Sequence, residues 1–440
     1  MSGRRNSLPS TKTRHLLELS RDGRLLFAAC GLRSFAYGFL SVVLGLYLAA
    51  LGLHAGAIGG IFTAALAGGA LMTVLLASVA DRFGRRRLLI VGSVLMALAG
   101  AVFAITDNVA LLTVAAILGT ISPSGKEVGP FLSIEQAILP LVTTDDRRTS
   151  IFAAYNVVGS LAGAFGGLAA GFPSTMIGLD SLAGYRLLVW GYVGIALVML
   201  LLFACLSPGV ETPAAARSGL ARGVGLQRSR RAVTKLAALF ALDSFAGGFI
   251  IQSLVAYWFH LRYGVEIAAL GSIFFGTNFL SALSFFMAAP IAKRIGLLRT
   301  MVATHLVSNV LLLLVPLMPT LELTVGIFLA RHLLSQLDVP TRQSYTMAIV
   351  DPGERAAAAG VMSVARNAAA AVAPALAGWM LVLPAVGLPF LVAGSLKIAY
   401  DLAIFTLFRN VRPPEEVAGT AAAISPTNRR EKRDKLERRE

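Results

Sequence analysis

The sequence predicts an all-α polytopic membrane protein, with twelve transmembrane helices in two pseudo-symmetric six-helix halves. Three observations carry this. The chain of 440 residues is 56% hydrophobic and only 14% charged, whereas soluble domains carry about 25% charged residues. Its mean hydropathy is +0.74, and its apolar runs approach the roughly 20 residues a helix needs to cross a hydrocarbon core. Finally, the second half of the chain repeats the first.

The repeat is legible residue by residue. Leu32-Arg33-Ser34-Phe35-Ala36-Tyr37-Gly38-Phe39 matches Leu242-Asp243-Ser244-Phe245-Ala246-Gly247-Gly248-Phe249 at an offset of 210. Tyr47 meets Tyr257 at the same offset. After a two-residue insertion, Gly59, Ile61 and Phe62 align with Gly271, Ile273 and Phe274, and Ala80, Arg82 and Gly84 with Ala292, Arg294 and Gly296. Such a period is far too long for a solenoid.

Residues 1–24 are polar and basic, and read as a cytoplasmic arm. The first half, 25–206, holds helices near 25–51, 56–79, 88–106, 109–142, 151–171 and 187–206. The fourth of these is overlong. Pro123, Gly125, Gly129 and Pro130 fall inside it, and they should kink or unwind it. The fifth is rich in small residues, including Gly159, Gly163, Gly166 and Gly167, a face suited to close helix approach. Residues 207–233 lose hydrophobicity and form a linker. The second half, 234–408, holds helices near 235–259, 267–290, 300–318, 323–349, 357–383 and 389–408, with Pro340 marking a break in the tenth. The tail 409–440 is charged, and disorder is expected there.

Charge fixes the orientation. Of 39 Lys and Arg, 31 lie in the tails, the linker and the loops on their side; only Arg186 and Arg262 lie in the opposite loops, and six fall inside helices. Lys and Arg collect on the inner side of a membrane, so both termini are expected in the cytoplasm. The net charge of +16 therefore flanks membrane spans, and nucleic acid is not expected as a partner. Cys30 and Cys205 lie in apolar runs and read as buried small side chains. His305 and His332 stand alone, without the clustering that a metal site needs. No metal and no cofactor are expected.

The loop after the second helix reads Ala77-Ser-Val-Ala-Asp81-Arg82-Phe-Gly84-Arg85-Arg86-Arg87. It resembles the loop between helices 2 and 3 of the major facilitator superfamily, roughly G-x-L-A-D-R-x-G-R-[RK]-x, with Asp81, Arg82, Gly84, Arg85 and Arg86 matching. Ala77 and Val79 depart from the leading Gly and Leu of the pattern. With the repeat, the resemblance covers about 25–408. It implies a transporter that binds a small solute between two six-helix halves near the membrane midplane. In the family the Asp of this loop helps hold the halves together on the cytoplasmic side. By that resemblance Asp81 and Arg85 are expected as gating elements, with Arg82, Gly84 and Arg86 beside them and Arg294 and Gly296 in the weaker second copy.

Ionisable groups in hydrocarbon are costly and usually face a cavity or a partner. Arg33 and Asp243 occupy equivalent positions of the two repeats, so they are expected to approach the same central space. Two readings follow: a proton-coupling group at Asp243 that senses Arg33 or the solute, or a static pair that locks one conformation. Tyr37 lies one turn above Arg33 on the same face. Arg331, Ser335, Asp338 and Arg342 form one stripe of helix 10, which should face the bundle interior. Glu127 and Glu135 accompany the break in helix 4 and mark a second candidate site. Arg366 and Asn367 on helix 11 are candidate contacts for an anionic solute group. Lys397 and Asp401, one turn apart on helix 12, are expected to satisfy each other.

The function expected from these features is secondary active transport of a small organic solute. Proton-coupled efflux is favoured over symport or uniport, because the aligned window of helix 5 keeps the Gly166-Gly167 pair of exporter motifs, although the motif's proline is missing. The competitor from another class is a non-transporting membrane sensor. No G-x-S-x-G, H-E-x-x-H or P-loop pattern occurs, so an enzyme is not expected. The expected setting is the plasma or inner membrane, with solute and protons as partners and a monomer as the working unit.

Overall fold

Apolar composition and broken periodicity together decide where the helices run. A computed structural model describes residues 19–125, 130–141, 148–178, 181–211, 226–383 and 387–410, and among these no strand occurs. The first half comprises α1 (Arg21–Ala50), α2 (Ala55–Phe83), α3 (Arg85–Ile105), α4 (Val109–Leu118), α5 (Pro130–Ile138), α6 (Arg148–Ala169), the short α7 (Phe172–Met176) and α8 (Ser181–Ala204). The second comprises α9 (Arg230–Gly248), α10 (Gln252–Tyr263), α11 (Ile267–Ile295), α12 (Leu297–Leu314), α13 (Leu321–Leu334), α14 (Asp338–Ile349), α15 (Arg355–Met380) and α16 (Leu388–Phe408).

Among the described residues, ten stretches are long and apolar enough to cross a membrane, with α9 and α10 counted as the single stretch Arg230–Tyr263. The two remaining passages are the split ones, α4 with α5 and α13 with α14. This matches the predicted arrangement of two six-passage halves. The fourth passage is broken, as its prolines and glycines require: Pro130 is the first residue of α5, where its missing N–H costs nothing. Gly129 and Glu127 lie outside the described residues. The tenth passage breaks just ahead of Pro340, between Leu334 and Asp338. Its flanking charges suit the break, since Arg331 is in the last turn of α13 and Asp338 opens α14, each placed favourably on its helix dipole.

The seventh passage differs from expectation. The continuous helix predicted over 235–259 is instead interrupted between Gly248 and Gln252. Adjacent Gly247 and Gly248 remove two side chains that would otherwise hold the turn, and helix-weakening glycine wins over apolar periodicity.

The loop glycines carry the turns that the repeat implies. Gly84 (φ 92°) and Gly296 (φ 89°) sit between α2 and α3 and between α11 and α12, in a backbone region that a side chain disfavours. Both lie at one end of the bundle, the arginine-rich face.

Small residues set the helix spacing. A Cβ on Gly38 of α1 would collide with the Gly163 carbonyl of α6, and one on Gly59 of α2 with Pro374 and Gly378 of α15. The halves touch through α2 with α15, α6 with α11 and α1 with α10. One apolar core runs through the first half and on into Leu254, Phe328, Ala377 and Phe390 of the second, at the face away from the arginines. The arginine-rich end of the second half has a separate core around Phe240, Tyr345 and Phe408.

Candidate functional site

Five passages of the second half bring charged side chains to one place. Asp243 of α9 accepts from Lys397 Nζ of α16 at 2.5 Å and from Arg342 Nη1 of α14 at 3.1 Å. Arg342 also lies 3.3 Å from Asp338, one turn back on α14, and its guanidinium covers the Phe240 ring at 5.4 Å. His305 of α12 links two carboxylates: its Nδ1 is 2.7 Å from Asp401 Oδ1 and its Nε2 is 3.7 Å from Asp243 Oδ1. Asn309 donates to Asp401 Oδ2 at 2.9 Å. Arg366 of α15 donates from Nε to Ser244 Oγ at 3.1 Å, beside Asp243. Asp243, Asp338, Asp401, His305, Arg331, Arg342 and Lys397 are all buried.

The first half contains a smaller counterpart. Arg33 of α1 grips Glu135 of α5 with both nitrogens, Nη1 to Oε1 at 2.8 Å and Nη2 to Oε2 at 2.6 Å. Tyr155 of α6 donates to the same carboxylate and accepts from Arg33 Nη2 at 3.2 Å. Phe131 lies under the guanidinium at 4.9 Å. The repeat thus conserves position and inverts sign. Its first helix carries Arg in one half and Asp in the other, and its split fourth helix supplies the opposite charge, Glu135 or Arg342.

Two expected pairings are corrected here. Arg33 and Asp243 do not share a centre, because each finds its counter-charge inside its own half. Lys397 and Asp401 do not satisfy each other, because Lys397 reaches across to Asp243 while Asp401 takes His305 and Asn309. His305 is not a lone core histidine either. Its signal was available, as His305 and Asn309 stand one turn apart on a single polar face. Tyr155 gave no such signal in its apolar, glycine-rich run.

The remaining candidates are distributed more widely. Tyr37 is buried within the first half, its ring 6.5 Å from that of Tyr192 on α8. Asn367 is exposed beside Arg366. Arg331 is buried at 8% exposure, with no hydrogen-bond partner for its Nε. Pro123 and Gly125 lie in the unwound stretch between α4 and α5, where Pro123 accepts from Ser253 N at 3.0 Å. Ser253 Oγ also donates to Ser41 O of α1 at 2.8 Å, and Ala375 N of α15 donates to Thr63 Oγ1 of α2 at 3.0 Å. All three bonds join the halves, and all lie toward the face away from the arginines.

At the arginine-rich face Glu211 of the linker and two carbonyls of the first half hold the described loop residues. Arg85 N and Arg86 N donate to Glu211 at 2.7 and 3.2 Å, capping α3. Arg85 Nη1 reaches Ala137 O at 2.9 Å and Arg86 Nη2 reaches Ala204 O at 2.5 Å. Arg294 is exposed. Asp81 and Arg82 fall in the last turns of α2, and their side chains lie outside the described residues. Among the described residues no three His, Cys, Asp or Glu are grouped as metal ligands.

This architecture has relatives. Residues 26–335 match the family model of the Major Facilitator Superfamily. The chain is 29% identical over 426 residues to the uncharacterized membrane protein YJR124C of Saccharomyces cerevisiae, a match spanning 89% of this chain and 95% of that protein. Among solved structures, the nucleoside transporter NupG superposes with a TM-score of 0.69 at 14% identity, over 88% of this chain and 99% of that one. A D-xylose-proton symporter gives 0.66 at 16% identity, over 89% and 98%. A bacterial homologue of the iron transporter ferroportin, in an inward-facing state, gives 0.69 at 14% identity, over 88% and 98%. At such identities the structures speak to the fold alone. The family model covers well over half of the chain, and the protein therefore belongs to the Major Facilitator Superfamily, as a multi-pass integral membrane transporter.

Proposed function

We propose that the chain is a secondary active transporter that exports a small organic solute in exchange for protons by alternating access. The observation that carries this reading is His305, buried between the carboxylates of Asp243 and Asp401. A histidine is the side chain whose charge changes most readily near neutral pH, and ionisable groups at membrane depth are rare and mark substrate pathways and proton relays. Asp243 is engaged by two fixed cations at once, whereas Asp401 meets only His305 and Asn309. The exchangeable proton therefore falls to the His305–Asp401 pair, with Asp243 coupling that pair to Lys397 and Arg342.

The distribution of Lys and Arg supports a cytoplasmic arginine-rich face, with both termini on that side. Among the described residues the polar bonds between the halves lie at the opposite face, which supports a conformation open toward the cytoplasm. Solute would enter there, between α1, α4–α5, α9, α13–α14 and α15. Closure of that face would bring the Asp81–Arg86 loop and its second copy at Arg294–Gly296 into contact across the halves, and the outer bonds would break. The Gly166-Gly167 pair on α6 supports export, in line with its resemblance to exporter motifs.

The test is solute-driven proton movement in proteoliposomes, comparing the native chain with His305→Gln and Asp243→Asn. The expected result is pH-gradient collapse by the native chain, lost in His305→Gln while downhill solute movement persists. Asp243→Asn should lose both, because it strands Lys397 and Arg342 as unpaired buried cations. Solute flux by the native chain with no proton movement would make the protein a uniporter. Unchanged coupling in His305→Gln would remove the relay from this site.

A further inference from the structure

We infer that the transported solute is an anion, held through a carboxylate or phosphate group by Arg331 and Arg366. This rests on the transporter reading above and specifies the class of solute. Among the described residues, the transmembrane passages of the second half hold four fixed cations, the buried Arg331, Arg342 and Lys397 and the half-buried Arg366, against three buried carboxylates, Asp243, Asp338 and Asp401. The ion pairs show where the surplus sits. Lys397 and Arg342 are taken by Asp243 and Asp338, and Asp401 is taken by His305 and Asn309. Arg331 and Arg366 are left with no carboxylate within ion-pair distance, and a protonated His305 would only add to the excess.

Among the described residues of the first half, Glu135 is already matched by Arg33. Arg331 points its guanidinium into the protein at 8% exposure, with its Nε unpartnered and only a long contact from Nη1 to His332 at 3.5 Å. Arg366 uses one nitrogen on Ser244, and among the described residues its two terminal nitrogens make no hydrogen bond. Arg366 is bonded to Ser244, next to Asp243, and the Arg331 carbonyl accepts from Ser308 Oγ at 3.4 Å, one turn beyond His305 on α12, so α15 and α13 bring the two arginines to the same cluster. An uncompensated cation at membrane depth is unstable unless a counter-charge arrives. Two guanidinium forks presenting free N–H groups suit an oxyanion, which can accept from each in parallel. Asn367, exposed next to Arg366, adds a neutral donor at the mouth of the site.

The test measures binding rather than transport, so it can fail while the transporter reading stands. Thermal unfolding of the purified full-length chain is followed with benzoate, succinate, citrate and inorganic phosphate, with benzamide and succinamide as neutral controls. At least one oxyanion should raise Tm in a saturable way while its amide does not. Arg331→Gln or Arg366→Gln should weaken half-saturation by about tenfold or more, the loss of a hydrogen bond to a charged group, and the double variant should abolish the shift. Carboxylates acting without phosphate, or the reverse, names the oxyanion. A second arm needs no ligand: Arg331→Met should raise Tm, because it removes an unpaired buried charge. The inference is overturned by amides that act as well as anions, by an anion shift that survives in the double variant, by no anion shift in the native chain, or by a fall in ligand-free Tm for Arg331→Met. A neutral solute that drives proton movement would sink the anion and leave the transporter.

Discussion

Arg33 is fully buried, and a guanidinium at that depth survives only because its counter-charge is complete. Glu135 supplies two acceptors, Tyr155 a third polar contact and Phe131 a π-face. Such a pair is weak evidence for net stability, since desolvation offsets much of the attraction, but breaking it from one side strands a charge. Glu135→Ala should therefore destabilise the protein by about 3–5 kcal/mol, whereas the double change Arg33→Met with Glu135→Leu should stay near native stability. Denaturant melts in detergent decide this, and a small effect of the single change would mean that water replaces the carboxylate. The sequence made these residues visible because charge inside an apolar run is conspicuous. It did not reveal their partners. Arg33 and Glu135 are 102 residues apart and Asp243 and Lys397 are 154 apart, while helical periodicity orders side chains only along one helix. Hence Arg33 and Asp243 stood out as a pair by repeat position, yet Coulomb energy is satisfied locally, within each half.

At the scale of elements, breaks and caps govern what the helices can do. The break between α4 and α5 was legible from its paired prolines and glycines. That between α9 and α10 was not, because the matching stretch of α1, around Gly38, is an unbroken helix and the repeat argues for continuity. The start of α9 is held from another passage. Glu354, just before α15, accepts from the backbone N–H groups of Gln227, Arg228 and Ser229 at 2.7, 2.9 and 2.8 Å, and these donors draw its carboxyl down to about 2. The folded value lies below the unfolded one of about 4.3. The cap therefore contributes fully above the unfolded value and is lost as pH falls from there through the folded one. Glu354→Gln should lower Tm at pH 7, and the gap between variant and native chain should close as pH drops below about 4.3. A gap that persists unchanged in acid would assign the effect to lost packing rather than to the charge. Glu211 performs the same service for α3 in the first half, so each half ties a helix start to a segment far along the chain.

Across the whole molecule, the two halves are separate bodies joined at one end. Among the described residues the apolar core crosses between them at the face away from the arginines, and the arginine-rich end of the second half keeps its own core. The polar ties follow the same division, with Ser253 bonded to Ser41 and to Pro123, and Ala375 bonded to Thr63. Interhelical hydrogen bonds of this kind are worth only about 0.6 kcal/mol each in a membrane, so a few of them hold a face closed without making it permanent. Rocking of one half against the other would break these contacts and form a new set at the arginine-rich face. A disulfide across the closed face tests this directly. With Cys30 and Cys205 replaced by Ser, the pair Thr63→Cys and Ala375→Cys should cross-link α2 to α15 under mild oxidation, since the Thr63 hydroxyl lies 3.0 Å from the Ala375 nitrogen. The oxidised protein should bind solute from the cytoplasmic side but complete no transport cycle, and reduction should restore turnover. Full turnover by the cross-linked protein would show that α2 and α15 stay together throughout, and the opening would then have to occur within a half, at the broken helices α4–α5 and α9–α10.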